Sequence, residues 1–146
     1  MAETIPQELI QVAESASSYQ AAIQLACNPL IQQGYIEASY VSRILDAIET
    51  FGPYIILADE FALPHAQPGN DVLQTGFSVL VLKEPVDLLG QPVSVMIVLA
   101  SIDSIDHIER LESLAHFLME STNLLDLRAC ETVQQIHRLL QERWTQ

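Results

Sequence analysis

Two segments of this chain are apolar on both faces, a pattern best read as strands buried between two layers. Residues 75–83 read TGFSVLVLK and residues 93–101 read VSVMIVLAS. Val, Ile and Leu fill both alternating sets of positions, whereas a strand with one wet face would alternate with polar residues. Helices must then cover the sheet on both sides. Between the two segments, residues 84–92 contain Pro85, Gly90 and Pro92 and predict a turn-rich connection with at most a short edge strand.

The rest of the chain supplies those helices. Ser17 or Ser18 caps a helix that carries Ala22, Ile23, Ala26, Cys27, Leu30 and Ile31 on one face and stops at Gly34. Pro29 lies inside this pattern and removes a backbone donor, so a kink or an early end is expected there. Val41, Ile44, Leu45, Ile48 and Phe51 form a second helical stripe, ended by Gly52-Pro53. Residues 54–57 are a short β-type run, and residues 58–70 predict an ordered loop or a broken strand. After the two apolar strands, Asp103 or Ser104 caps a helix with Ile108, Leu111, Leu114, Ala115 and Leu118 inward. Residues 123–130 predict a short helix, and Thr132 opens a last one carrying Val133, Ile136, Leu139 and Leu140. Residues 9–13 add a possible short strand behind an irregular lead-in over residues 1–7. The expectation is a single α/β domain over residues 1–146, a mixed β-sheet sandwiched between helices. Its 49 % hydrophobic and 17 % charged residues are enough for a core of that kind.

Charge narrows the function. Six Lys and Arg stand against nineteen Asp and Glu, a formal −13. That argues against a sequence-general nucleic-acid binder and against an anionic membrane surface, and it favours a basic protein partner or simply good solubility. The longest apolar run, residues 93–100, is far short of the roughly 20 residues of a spanning helix. The N-terminus has neither a basic nor an apolar signal-peptide region, so a cytoplasmic protein is expected. Two cysteines, Cys27 and Cys130, make no disulfide framework. No metal-ligand spacing, paired-acid spacing, Walker loop or GxGxxG occurs, so neither metal nor cofactor is expected.

Four histidines remain as candidates for chemistry near neutral pH. His116 and His137 read as surface or flanking residues. His65 leaves a β-type run behind Pro64, which fixes its own φ and biases Leu63 towards extended geometry, and small Ala66 follows. A rigid, uncrowded imidazole at a sheet edge can act as a nucleophile; on these residues alone, an ordinary loop histidine is the stronger reading. His107 falls in the first turn of a helix, where the dipole disfavours protonated imidazole and favours an anion such as a phosphate carried by another residue. An exposed first-turn histidine is the alternative.

Several motifs in order carry a resemblance: Ile44-Leu45-Asp46-Ala47, Gly52-Pro53-Tyr54-Ile55-Ile56-Leu57-Ala58, Ala62-Leu63-Pro64-His65-Ala66, Thr75-Gly76-Phe77 and Leu127-Arg128-Ala129-Cys130. Together they resemble the enzyme IIA domains of the bacterial sugar phosphotransferase system, mannitol/fructose class, with the ascorbate branch nearest, over about residues 10–142. The resemblance implies a mixed sheet flanked by helices. It implies that His65 accepts a phosphoryl group from the phosphocarrier protein HPr and passes it to a cysteine of enzyme IIB, without a metal. It implies that His107 lies beside His65 and assists, and that the sugar is ascorbate or a related sugar acid. A regulatory protein whose phosphorylation state controls a partner is the alternative. Phe61 and Leu63 would be either a contact patch or core. Ala47 stands where mannitol-type members carry an arginine, and Gln67 where ascorbate-type members often do. Little cationic help is therefore expected near the phosphoryl group.

Overall fold

The computed structural model describes residues 5–144; residues 1–4 of the expected lead-in lie outside the described residues. Among the described residues, five strands form one sheet in the order β1-β4-β5-β3-β2. They are β1 (Ile10–Ala13), β2 (Ile56–Ala58), β3 (Glu60–Ala62), β4 (Gly76–Leu88) and β5 (Gln91–Ala100). β1 runs parallel to β4 and β3 parallel to β5, while β4–β5 and β2–β3 are antiparallel. The sheet is mixed, as the sequence predicts. The helices are α1 (Tyr19–Gln32), α2 (Ala38–Phe51), α3 (Ser104–Leu118), α4 (Ser121–Ala129) and α5 (Val133–Arg143). No helix among the described residues is long and apolar enough to cross a membrane.

The central strands are buried on both faces, as their composition demands: residues 79–82 and 93–100 are all buried. Consecutive residues of β4 meet different layers, because strand side chains alternate. Ser78 Oγ donates to the Ala26 carbonyl of α1 at 2.7 Å. Its neighbour Phe77 packs on Trp144, just past α5, at 5.0 Å between ring centroids, and Trp144 in turn stacks on Phe117 of α3 at 4.9 Å. Cys27 sits in the core under α1, where burial pushes its thiol up to about 12.

Four expectations are corrected. First, of the kink or early end expected at Pro29, the early end does not occur: α1 continues to Gln32. Pro29 lacks the N–H that would bond the Leu25 carbonyl, and the side chain of Gln11 in β1 replaces it, Nε2 donating to that oxygen at 2.7 Å. Second, residues 84–92 are not a loop: β4 runs to Leu88 and β5 starts at Gln91. Only Leu89 (φ 51°) and Gly90 (φ 94°) turn, a two-residue hairpin with both centres left-handed. Pro85 falls where the β4–β5 register shifts between Val81 and Val86, so no ladder bond is sacrificed. Third, the β-type run begins at Ile56, two residues later than read; residues 58–70, read as an ordered loop or a broken strand, contain the short β3. Fourth, Ile108 and Ala115 of α3 are exposed, the buried residues being Leu114 and Phe117. The aromatic cluster with Trp144 sets the rotation of this helix, and that cluster lies far apart in sequence.

The replacement of a helical donor by Gln11 is testable. Gln11→Leu should cost about 1–3 kcal/mol, the range for leaving a buried carbonyl unsatisfied. In a Pro29→Ala background, where residue 29 regains its own N–H, the cost should fall by at least half. Equal costs in urea unfolding of both backgrounds would refute the substitution of one donor for the other.

Candidate functional site

Parallel pairing puts the C-terminal ends of β3 and β5 at the same edge of the sheet. Past Ala62 the chain keeps alongside its neighbours: Leu63 N donates to Ile55 O at 2.8 Å, and Leu99 N to Pro64 O at 3.1 Å. His65 follows at once. Past Ala100, β5 delivers Ser101 and then α3, whose first turn contains His107. The two imidazoles, 42 positions apart in the chain, have ring centroids 5.7 Å from each other. The structure brings together the two histidines singled out from the sequence and leaves the other two elsewhere. His116 is exposed in the last turn of α3, and His137 receives Gln7 Nε2 at Nδ1, 3.4 Å away, on α5.

His65 is held in one tautomer. Its Nδ1 lies 2.7 Å from the Leu63 carbonyl oxygen. A carbonyl can only accept, so Nδ1 carries the hydrogen and Nε2 keeps its lone pair in the neutral ring. Burial pushes the His65 pKa below the ordinary 6.5, opposed by the bond to Leu63. His107 is also pushed down, first by burial and then by the charge His65 would carry. Its Nδ1 is 3.1 Å from Ser101 Oγ.

Two tyrosines that the sequence reading passed over fix the His65 loop. Tyr40 of α2 donates its hydroxyl hydrogen to Leu99 O at 2.7 Å and accepts from Ala66 N at 3.0 Å. Tyr54 donates to the His65 carbonyl and sets its ring edge-on to the imidazole, 5.3 Å between centroids. Burial raises the Tyr54 pKa, so it remains a donor. Tyr40 lies four positions before Ile44 on the buried stripe of α2, which is the one sequence signal that could have found it.

A cleft of about 530 Å³ is lined by Arg43, Ala47, Phe51, Tyr54, His65 and His107, with Asp46, Ala66 and Gln67. Two expectations change here, and one open alternative closes. Phe51 is not inward: it ends α2, the chain turns away at Gly52 (φ 80°), and the ring is 75 % exposed on the cleft. Phe61 and Leu63 are core and supply no contact patch. The start of α3 is not an open anion site either. Asp103 Oδ1 accepts from Asp106 N at 2.8 Å, and Asp106 accepts from Thr75 Oγ1 at 2.8 Å. Two carboxylates already answer the dipole, so what α3 offers the cleft is the ring of His107. The expected shortage of cations is also eased, because Arg43 lines the cleft beside Ala47.

The titration has a definite sign. A folded value below 6.5 means His65 is neutral at pH 7; the unfolded chain takes up a proton near 6.5 and the folded one only at lower pH. Any stability owed to neutral His65 is therefore complete above that value and is lost as pH falls through the folded midpoint. In an NMR titration both His65 and His107 should show midpoints below 6.5. His65→Ala should raise the His107 midpoint. A His65 midpoint at or above the ordinary value would contradict this description.

Comparison with known proteins places the chain in a family. Residues 3–143 match the family described as phosphoenolpyruvate-dependent sugar phosphotransferase system, EIIA 2. The ascorbate-specific phosphotransferase system EIIA component of Escherichia coli K12 is 32 % identical over 135 residues, covering 90 % of this chain and 88 % of that protein. The solution structure of the mannitol-specific cryptic phosphotransferase enzyme IIA from E. coli superposes with a TM-score of 0.89 at 31 % identity, covering 94 % of this chain and 95 % of that one. The complex of the E. coli mannitol enzyme IIA with phosphorylated enzyme IIB gives 0.80 at 25 % identity, with 96 % and 99 % covered. A neutral, tautomerically fixed histidine facing a second imidazole at a sheet edge thus occurs in a chain that belongs to the EIIA type 2 family of sugar phosphotransferase system components, which are phosphotransferases.

Proposed function

We propose that the protein is a cytoplasmic phosphoryl carrier that takes a phosphoryl group from phospho-HPr onto Nε2 of His65 and passes it to a cysteine of enzyme IIB, for uptake of ascorbate or a related sugar acid. The observation that carries this reading is the Nδ1–Leu63 bond, which leaves Nε2 as the nucleophilic nitrogen in a residue lining the cleft. The Nε2 lone pair attacks phosphorus in line, the phosphorus–nitrogen bond of the donor breaks, and the Leu63 carbonyl stabilises the positive charge that develops on the ring. In the second transfer the incoming thiolate of enzyme IIB attacks the same phosphorus, and the bond to Nε2 breaks. The His107 ring can donate to an equatorial phosphoryl oxygen.

Partner docking has support on the surface. Phe51, Ile105 and Ile108 are 75 %, 70 % and 56 % exposed. Phe51 lines the cleft, and Ile105 and Ile108 lie on the stretch of α3 that carries His107, so exposed apolar side chains are available to a partner. The enzyme IIA–enzyme IIB complex among the relatives makes an enzyme IIB the natural occupant. The −13 charge suits a basic carrier arriving from solution. The ascorbate-specific relatives support ascorbate as the sugar acid.

Incubation with phosphoenolpyruvate, enzyme I and HPr should add one acid-labile phosphoryl group by intact mass. His65→Ala should abolish it while retaining the circular dichroism of the parent; full labelling of that variant would sink the assignment. His107→Ala should slow single-turnover transfer on the order of 10²–10³-fold, and His107→Gln, which keeps a donor, by less. Wild-type rates for both would make His107 a bystander.

Encounter with HPr should also be salt-sensitive. The screening length is about 8 Å at 0.15 M ionic strength and shortens above it. Initial rates at subsaturating HPr should fall steadily as salt rises; a flat response would remove the role assigned to the acidic surface.

A further inference from the structure

Arg43 lies one helical turn before Ala47 on α2 and lines the same cleft as His65, His107 and Gln67. It is held from three directions. Its Nε donates to Asp71 Oδ2 at 2.9 Å and its Nη2 to Asp71 Oδ1 at 2.6 Å, a two-pronged contact. Its guanidinium carbon stands 5.2 Å over the ring of Tyr40, the residue whose hydroxyl holds the His65 loop. On a third side it lies against the backbone of Gly69, where an added Cβ would come within 2.8 Å of Nη2. Asp71 is itself anchored: it is buried, Ser39 Oγ donates to its Oδ2 at 3.0 Å, and its carbonyl accepts from Glu37 N at 2.8 Å.

A guanidinium has five N–H donors, and the contact with Asp71 uses two of its nitrogens. Nη1, with two hydrogens, takes no part in it. Placement against a glycine and over an aromatic face removes most of the side-chain freedom that binding an anion would otherwise cost. A plain surface ion pair needs neither.

We propose that Arg43 is the cation that meets the phosphoryl oxygens at His65, taking the role that Ala47 and Gln67 leave empty, and that Asp71 and Gly69 are the positioning residues that aim it. The inference rests on the reading of His65 as phosphoryl acceptor. Arg43 contributes no bond to the transfer itself: its Nη1 hydrogens stabilise negative charge on the equatorial oxygens while the phosphorus moves from donor nitrogen to Nε2.

The alternative is a clip, in which Arg43 and Asp71 merely pin the segment after His65 to α2. The experiment separates them. Arg43→Gln, Arg43→Lys and Asp71→Asn are each phosphorylated from phospho-HPr in single turnover, and the phosphoryl group is titrated by ³¹P NMR on the intact protein. Arg43→Gln should slow transfer on the order of 10²-fold. It should also raise the midpoint of the phosphoryl group's last ionisation, because the cation that favours the dianion is gone. Arg43→Lys should restore the midpoint more fully than the rate, since a point charge lacks the planar set of donors. Asp71→Asn keeps the cation, so it should slow transfer less and leave the midpoint low. A clip would make Arg43→Gln and Asp71→Asn equally slow with the midpoint unmoved, and that result overturns the proposal. Should Arg43→Gln not fold, Gly69→Ala, which displaces the guanidinium without removing charge, must slow transfer and raise the midpoint, or the proposal fails. If the parent protein takes no label, the His65 reading itself is wrong; if it takes label and Arg43→Gln matches its rate and midpoint, only Arg43 is dismissed.

Discussion

The parallel pairing of β3 with β5 is the constraint on which the rest of the site depends. β3 is only three residues long, but Leu99 N to Pro64 O extends the pairing beyond it, so the backbone just before His65 is tied to the strand that leads to His107. Tyr40 then ties the backbone just after it, accepting from Ala66 N and donating to Leu99 O. The histidine therefore sits on a loop with one shoulder hydrogen-bonded to buried β5 directly and the other through the Tyr40 hydroxyl. Such a loop cannot relax without opening backbone groups that have no water to turn to. Precision at the imidazole is inherited from the core.

That rigidity suits the chemistry proposed for His65. Phosphoryl transfer asks a protein mainly for position and for charge in the right place. The Leu63 carbonyl selects the tautomer, burial keeps the ring unprotonated, and the second imidazole stands close enough to share the same small volume. The protein is strongly acidic, and Asp46 lines the cleft itself, but three further carboxylates around the site are engaged. Asp71 is taken up by Arg43 and Ser39, Asp103 caps α3, and Asp106 accepts from Thr75. Unpaired, these groups would oppose the phosphoryl dianion proposed for His65; engaged, Asp71 holds Arg43, which lines the cleft.

Much of this was legible in the chain itself. The doubly apolar stretches demanded a covered sheet. The Ser18 and Thr132 caps are where their side chains predicted them, accepting from Ala21 N and Gln135 N. His65 and His107 stood out through order of motifs more than through any local property. The misreadings share one cause. Pro29 and Pro85 are local breakers, and each was excused by a partner distant in sequence: Gln11 for the first, the register shift opposite β5 for the second. Phe51 and Ile108 fit a helical period yet face outward, because period alone does not say where a helix stops covering its neighbour.

Sequence alone determined which segments must be buried, that helices flank them, and which histidines follow the strands. These are consequences of side-chain polarity and of period, which are local. Tertiary structure decided that the two rings meet, that Nε2 and not Nδ1 is left for chemistry, and that Arg43 shares the cleft with Ala47 and Gln67. Each of these depends on a contact between residues far apart in the chain: β3 with β5, Tyr40 with Leu99 and Ala66, Arg43 with Asp71. A hydrogen bond or a fork of this kind is selected by the geometry of two backbones at once, and only the folded sheet brings those backbones together.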